Sequence, residues 1–325
     1  MKSIALKTGH VEPVSWKGSE LDIRKTLIEF NDNHLKEIRK WLEGDINEPY
    51  PEAELLPVIH HCKELLESRY GFSVLNGLDR VCNSLEDYEK IACMIGDLMG
   101  TPVSQNKNGD KLVLVRDEGM STINPSHRGH KTSDELGFHN DRCDIILLLC
   151  AHQSTEGGES SLVSAKYVHD HIQENAPEHL NTLYGNFPNH RRNEQRPGEK
   201  EWCLMPVFAN VEQRFVCRFV KRFITDSQKL ADAPRITPEQ QAALDYMEKV
   251  INNPSIYLKF KLRKGQILVV NNHTILHGRS SYVDTGEHKR TLIRVWLSHP
   301  ESRMLPESFA ELYRDIRAGA VRGGI

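Results

Sequence analysis

The sequence predicts an α+β fold, with helices first and then a strand-rich core carrying a helical insertion. Three observations carry this prediction. Apolar residues recur at helical spacing through the first hundred residues. After Lys111 the apolar residues gather instead in short runs of strand length. A strongly capped helix then interrupts those runs near residue 237.

In chain order, Ile23, Leu27, Phe30, Leu35, Ile38 and Trp41 follow a helical repeat within a charged segment. Leu55, Ile59, Cys62 and Leu66 do the same in the next one. Gly71–Leu75 is a short strand candidate, and Ser84-Leu85-Glu86-Asp87 caps a third helix running toward Met99. Leu112–Val115 reads as a strand. Asp117–Leu136, rich in Gly, Ser, Thr, His and Asp, reads as a long loop of the kind that serves as a lid. Ile145–Leu149 is a buried strand, Ala165–Asn175 and Pro177–Tyr184 are helices, and Phe215–Val220 is a strand. Thr237-Pro238-Glu239-Gln240 has an N-cap Thr, Pro in the first turn and Gln three residues past the cap, starting a helix that runs to about Asn252. Ile256–Leu262 and Gln266–Val270, joined through Lys264-Gly265, read as a hairpin. A strand over Arg290–Ser298 and a helix over Glu307–Arg317 close the chain. With no repeat or linker, residues 1–325 are expected to form one domain. It has a helical part over 1–100, a core over 101–300 with an insertion at 165–255, and a C-terminal helix within 301–325.

Composition narrows the function classes. Formal net charge is −3 and no basic run stands out, which argues against a nucleic-acid binder. Residues 1–7 lack the apolar core of a signal peptide, and the longest apolar run, 145–151, is too short to cross a bilayer. A cytoplasmic protein with a small-molecule substrate, no nucleic acid and no membrane is expected, and homo-oligomerisation stays open. The seven cysteines, without a CxxC pair, read as reduced core thiols.

The most informative segment is Gly137-Phe138-His139-Asn140-Asp141. Residues two apart on a strand share a face, so His139 and Asp141 can reach one metal while Asn140 points away. A second segment, Asn271-Asn272-His273-Thr274-Ile275-Leu276-His277-Gly278-Arg279, follows an apolar strand and offers His277 as a third ligand, with His273 competing for the role. Two imidazoles and one carboxylate on one face favour Fe(II) with open coordination positions. A four-coordinate zinc hydrolase is the rival from the same residues. His127, His130, His152, the His60-His61 pair and His169/His171 read as ordinary surface or core histidines. Arg290 and Arg294, four apart on one strand, present two guanidinium groups to one side, suited to a dicarboxylate.

Together these segments resemble the taurine dioxygenase/2,4-D dioxygenase (TauD/TfdA-like) superfamily of Fe(II)/2-oxoglutarate-dependent dioxygenases. The resemblance rests on His139-x-Asp141, Gly157-Gly158-Glu159-Ser160-Ser161-Leu162, Asn272-x-x-x-x-His277 and Arg290-x-x-x-Arg294, a span of about half the chain. It implies a double-stranded β-helix (jelly-roll) core and iron held by His139, Asp141 and His277. It also implies Fe(II) as cofactor, with 2-oxoglutarate and O2 as co-substrates. Arg290 falls where the family salt-bridges the distal carboxylate of 2-oxoglutarate, and Ser160 where a Thr hydroxyl meets that carboxylate, with Ser161 as the alternative. Arg294 falls at a position contacting the keto-acid carboxylate or an anionic substrate. Gln105, Asn106 and Glu135 fall where relatives place substrate-contacting polar residues.

The implied activity is that of an oxidoreductase hydroxylating an unactivated C–H of a small acid or amino-acid-like substrate, with release of succinate and CO2. Desaturation or cyclisation on the same scaffold is the alternative, and a non-catalytic metal-binding jelly-roll or a metal hydrolase is the rival from another class. Asp141 argues against halogenation, because a halide needs the position a carboxylate occupies. Relatives often read Trp-Asp-Asn-Arg before the distal His; this chain reads Val270-Asn271-Asn272-His273, so the resemblance does not name the substrate.

Overall fold

The runs Ile145–Ala151 and Ile267–Val270 are apolar at every position because the sheet they build is covered on both faces. A computed structural model describes residues 13–44, 49–120, 129–285 and 289–325 of the chain. The N-terminal part contributes β1 (Leu27–Glu29), α1 (Asp32–Glu43), α2 (Glu52–Glu64), β2 (Phe72–Asn76) and α3 (Leu85–Met99). The capping box expected at Ser84 is formed with Asp87, and Asn31 forms another with His34 at the start of α1. Next come β3 (Thr101–Val103), β4 (Leu112–Val115), β5 (Leu136–His139), β6 (Ile145–His152), β7 (Glu156–Gly157) and β8 (Ser160–Ser164).

The insertion holds α4 (Ala165–Asn175) and α5 (Pro177–Leu183), then β9 (Asn186–His190), β10 (Trp202–Pro206), β11 (Phe208–Val211) and β12 (Arg214–Cys217), then α6 (Lys221–Ser227) and α7 (Pro238–Ile251). It is therefore mixed, with two small hairpins, β9–β10 and β11–β12, among its helices. The chain ends with β13 (Leu258–Phe260), β14 (Ile267–Asn271), β15 (Ile275–Arg279), β16 (Tyr282–Val283), β17 (Thr291–Ser298) and α8 (Ala310–Tyr313).

A large sheet runs β1-β2-β14-β6-β17-β3, with β4 also on β17, and a small sheet runs β13-β8-β15-β5. Alternation along the strands assigns each residue to a face. Ile145, Leu147 and Leu149 of β6, Val269 of β14, and Ile293, Val295 and Leu297 of β17 pack against α1, α2 and α3. Their neighbours Ile146, Leu268, Val270, Leu292 and Trp296 turn inward and meet Leu162 and Ile275 of the small sheet. The outer face of the small sheet, through Val163 and Leu276, packs on α4, α5 and α7. The inner faces of the two sheets thus share one core, and the inward residues of β5, β15 and β17 line its open end.

Three local expectations change. Ile23–Phe30 is not helical: a 3-10 turn over Ile23–Thr26 leads into β1, which pairs in parallel with β2. Leu27 and Ile28 face different cores, a strand pattern that the helix-like spacing of Ile23, Leu27 and Phe30 conceals. Ile256–Leu262 and Gln266–Val270 do not form a hairpin. β13 pairs with β8 in the small sheet and β14 with β2 and β6 in the large one, so the chain crosses between sheets there, with Gly265 at the expected positive φ. Both strands have the right pattern, but their partners lie far off in sequence. The helix expected over Glu307–Arg317 is only a 3-10 turn, Glu307–Phe309, and α8, because Arg314 turns to positive φ.

Candidate metal centre and its cavity

Strand pairing assembles the cluster. In the antiparallel pair β5–β15, His139 lies directly opposite His277, and their ring centroids are 4.4 Å apart. The chain leaves β5 after His139, and Asp141 returns to the same side. Its Oδ1 lies 3.9 Å from His139 Nε2 and its Oδ2 3.7 Å from His277 Nε2. One ligand atom from each residue lies within 4.8 Å of the others. Gly278 makes room for the approach: a Cβ there would stand 2.8 Å from the Leu136 carbonyl oxygen.

The protonation states suit a metal. Burial alone would raise the Asp141 carboxyl, but the Arg294 guanidinium 3.6 Å away, the two imidazoles and the Trp296 indole N–H, donating to Oδ2 at 3.0 Å, bring it down to about 2. Burial, with His139 alongside, holds His277 down to about 3. His139 Nδ1 lies 2.8 Å from the Gly137 carbonyl oxygen, so an Nδ1–H donor leaves Nε2 bare toward the cluster. A carboxylate and two imidazoles, on the wall of a cavity of about 680 Å³, fit an open-sided Fe(II) site.

Two asparagines set the backbone beneath these ligands. Asn140 points away from the cluster, as expected. It donates to the carbonyls of Asn272 and Ile275 at 2.8 and 2.9 Å and accepts from the Phe219 N–H at 2.8 Å. Asn272 accepts from the Asp141 N–H at 3.1 Å and donates to the Asp141 and Cys143 carbonyls at 2.8 and 3.2 Å. His273, the competing ligand, is turned elsewhere: its Nε2 is 2.8 Å from Asp144, which also accepts from Arg322 at 2.8 Å. His277 is the histidine that joins the cluster. His130 lines the cavity, while His127 and residues 1–7 lie outside the described residues.

Arg290, Leu292, Arg294 and Trp296 all line the cavity, so the same-face reading of that strand is correct. Ser160 also lines it, whereas Ser161 faces the other way along β8. Gln105 is buried against Arg294: its Oε1 accepts from Arg294 Nε at 2.6 Å, and its Nε2 donates to the carbonyls of Lys111 and Arg294. Glu135 is an exposed residue of the cavity wall. Asn106 lies apart from these residues. Its amide closes its own turn, donating to Asp110 at 2.8 Å and accepting from the Asn108 N–H, so it does not reach the cavity. The Asn-Lys-Asn-Gly-Asp run at 106–110 carried that turn signal.

Four further residues of this region escaped the sequence reading. Trp296 and Arg279 each lie two positions from a residue that was singled out, so strand periodicity contained the signal for both. Arg218, which donates to the Asn140 carbonyl, has no such signal, because it comes from the insertion. Tyr282, beside Arg279 and Arg290, likewise had none.

Known proteins similar to this chain share one family and one fold. The family described as taurine catabolism dioxygenase TauD, TfdA family matches residues 32–296. FR-33289 synthase of Streptomyces rubellomurinus is 28% identical over 271 residues, covering 81% of this chain and 79% of that protein. Among solved structures, asparagine oxygenase in complex with Fe(II), 2S,3S-3-hydroxyasparagine and succinate superposes with a TM-score of 0.64 at 15% identity, covering 91% of this chain and all of that one. The non-heme iron oxygenase OrfP in complex with Fe and alpha-ketoglutaric acid gives a TM-score of 0.62 at 15% identity, over 84% of this chain and 94% of that one.

Proposed function

The chain belongs to the taurine catabolism dioxygenase TauD, TfdA family, and from that premise we propose that it is an Fe(II)/2-oxoglutarate-dependent dioxygenase hydroxylating an unactivated C–H of a small acid or amino-acid-like substrate. Succinate and CO2 are the co-products. The observation that carries this reading is the His139, Asp141, His277 cluster opening onto an arginine-lined cavity. The two facing sheets make a jelly-roll, and residues 1–325 act as one catalytic domain.

When bound, the iron supplies O2 activation coupled to oxidative decarboxylation of the keto acid. The protein positions the reactants. His139, Asp141 and His277 hold the metal, and Arg290 with Ser160 receives the distal carboxylate of 2-oxoglutarate through charge-assisted hydrogen bonds. Arg294, oriented by Gln105, points a guanidinium at the metal side of the cavity, where it meets the anionic group of the substrate. Glu135 on the cavity wall faces a substrate amine. Ile146, Leu148 and Leu292 keep the floor of the cavity apolar.

The acid or amino-acid assignment draws support from asparagine oxygenase, whose structure holds a hydroxylated asparagine. The test is succinate release from anaerobically Fe(II)-loaded protein, started with O2, across amino acids, small carboxylic acids and sulfonates. An oxygen-independent turnover supported by Zn(II) would replace this reading with a hydrolase. A product lacking two hydrogens rather than gaining oxygen would identify a desaturase or cyclase.

A further inference from the structure

Arg279 and Arg290 are 7% and 1% exposed, both line the cavity, and neither makes an ion pair with a carboxylate among the described residues. Both guanidinium groups lie over the ring of Tyr282, itself 5% exposed, with their carbons 4.8 and 5.0 Å from its centroid. Arg279 spends Nη2 on the carbonyls of Thr132 and Asp134, and its Nε and Nη1 have no hydrogen-bond partner among the described residues. Arg290 places Nε 3.2 Å from Gln153 Oε1 and Nη2 3.4 Å from the Gly158 carbonyl, and its Nη1 has no hydrogen-bond partner among the described residues. The buried Tyr282 hydroxyl meets no well-formed hydrogen-bond partner among the described residues, and the Arg290 guanidinium lies near it.

Two buried cations against one ring are costly unless an anion joins them. Cation–π contact with one tyrosine ring offsets part of that cost but leaves the unpartnered N–H groups unsatisfied. Ser160 lies directly opposite Arg279 in the β8–β15 pairing, so its hydroxyl faces the same spot. Gly158 is shaped to the pair: at φ +72 it carries no side chain, and a Cβ would stand 2.8 Å from Arg290 Nε.

We infer that Arg279 and Tyr282 complete the co-substrate anchor, so that the distal carboxylate of 2-oxoglutarate is held between two guanidinium groups rather than by Arg290 and Ser160 alone. This inference rests on the function proposed above. Through Thr132 and Asp134, Arg279 also ties the anchor to the segment that leads into β5 and its ligand His139.

The experiment is anaerobic calorimetric titration of 2-oxoglutarate into Fe(II)-loaded protein and into metal-free protein, without substrate. It compares the unmodified chain with Arg290→Lys, Arg279→Lys, Tyr282→Phe and Tyr282→Leu. Lysine keeps the charge and a donor for the Thr132 and Asp134 carbonyls but loses the planar fork. Arg279→Lys and Tyr282→Leu should each weaken 2-oxoglutarate binding by ten-fold or more, and Tyr282→Phe by a few-fold. Iron stoichiometry and the unfolding midpoint should stay close to those of the unmodified chain. If Arg290→Lys weakens binding while Arg279→Lys leaves it within two-fold, Arg279 is only a tie for the loop and the inference falls, with the proposed function intact. Failure of the unmodified Fe(II) protein to bind 2-oxoglutarate would overturn both.

Discussion

Asn272→Ala tests whether the iron site depends on the backbone beneath it. The side chain is 1% exposed and makes three hydrogen bonds to main-chain groups around Asp141, at 3.1, 2.8 and 3.2 Å. Alanine leaves the Asp141 N–H and the carbonyls of Asp141 and Cys143 without these partners. At roughly 1 kcal/mol or more for each stranded buried group, the expected loss of stability is about 3 kcal/mol. The segment carrying Asp141 then loses its fixed position relative to His277, and loss of supporting contacts around a metal site lowers affinity about 10- to 100-fold. The assay pairs urea denaturation of the metal-free protein with anaerobic Fe(II) titration. Asn272→Asp serves as a second variant: it keeps the acceptor for the Asp141 N–H and loses both donated bonds. Iron affinity within two-fold of the unmodified chain in a folded Asn272→Ala protein would refute the reasoning.

His277→Ala should abolish iron binding and leave a folded protein, whereas His273→Ala should keep iron stoichiometry. The latter should lose stability by about 1.5–3 kcal/mol, because it removes one hydrogen-bond partner of buried Asp144 while Arg322 stays in place; metal analysis and thermal denaturation separate the two. Arg290→Lys should raise the KM for 2-oxoglutarate tens-fold with little change for the substrate, since an ammonium cannot replace a planar fork; a rise confined to the substrate KM would make Arg290 a substrate residue. Acid should destabilise the metal-free protein. With its folded-state value near 3, His277 stays neutral where the unfolded chain protonates, so stability is present above about pH 6.5 and lost as pH falls, by about 2 kcal/mol at pH 5. Denaturation at pH 7 and pH 5 should show this slope, flattened in His277→Ala, and an equal slope in both proteins would refute it.

The sequence by itself determined what local patterns encode. Leu112–Val115 and the capped starts of α3 and α7 are complete within a few residues, and so were legible. His139 and Asp141, and Arg290 and Arg294, were legible from their spacing, although β5 ends at His139 with Asp141 returning to its side beyond it, and Arg290 stands just before β17. What the sequence left open concerned partners. Whether His273 or His277 joins the cluster depends on which one the β5–β15 register sets opposite His139, and His273 instead meets Asp144, 129 residues earlier. Ser160 rather than Ser161 faces the cavity because β8 pairs with β15 in one register, and a slip of one residue would exchange them. The apparent hairpin at 256–270 divides between two sheets because each strand finds a better-buried partner far away in sequence. Asn272 looked like one polar residue in a polar run, and its hold on Asp141 exists only once two segments 131 residues apart meet. Periodicity and capping act over a few residues and are written in the chain. Register between distant strands, and the hydrogen bonds that follow from it, are settled only when the two sheets close on their shared core.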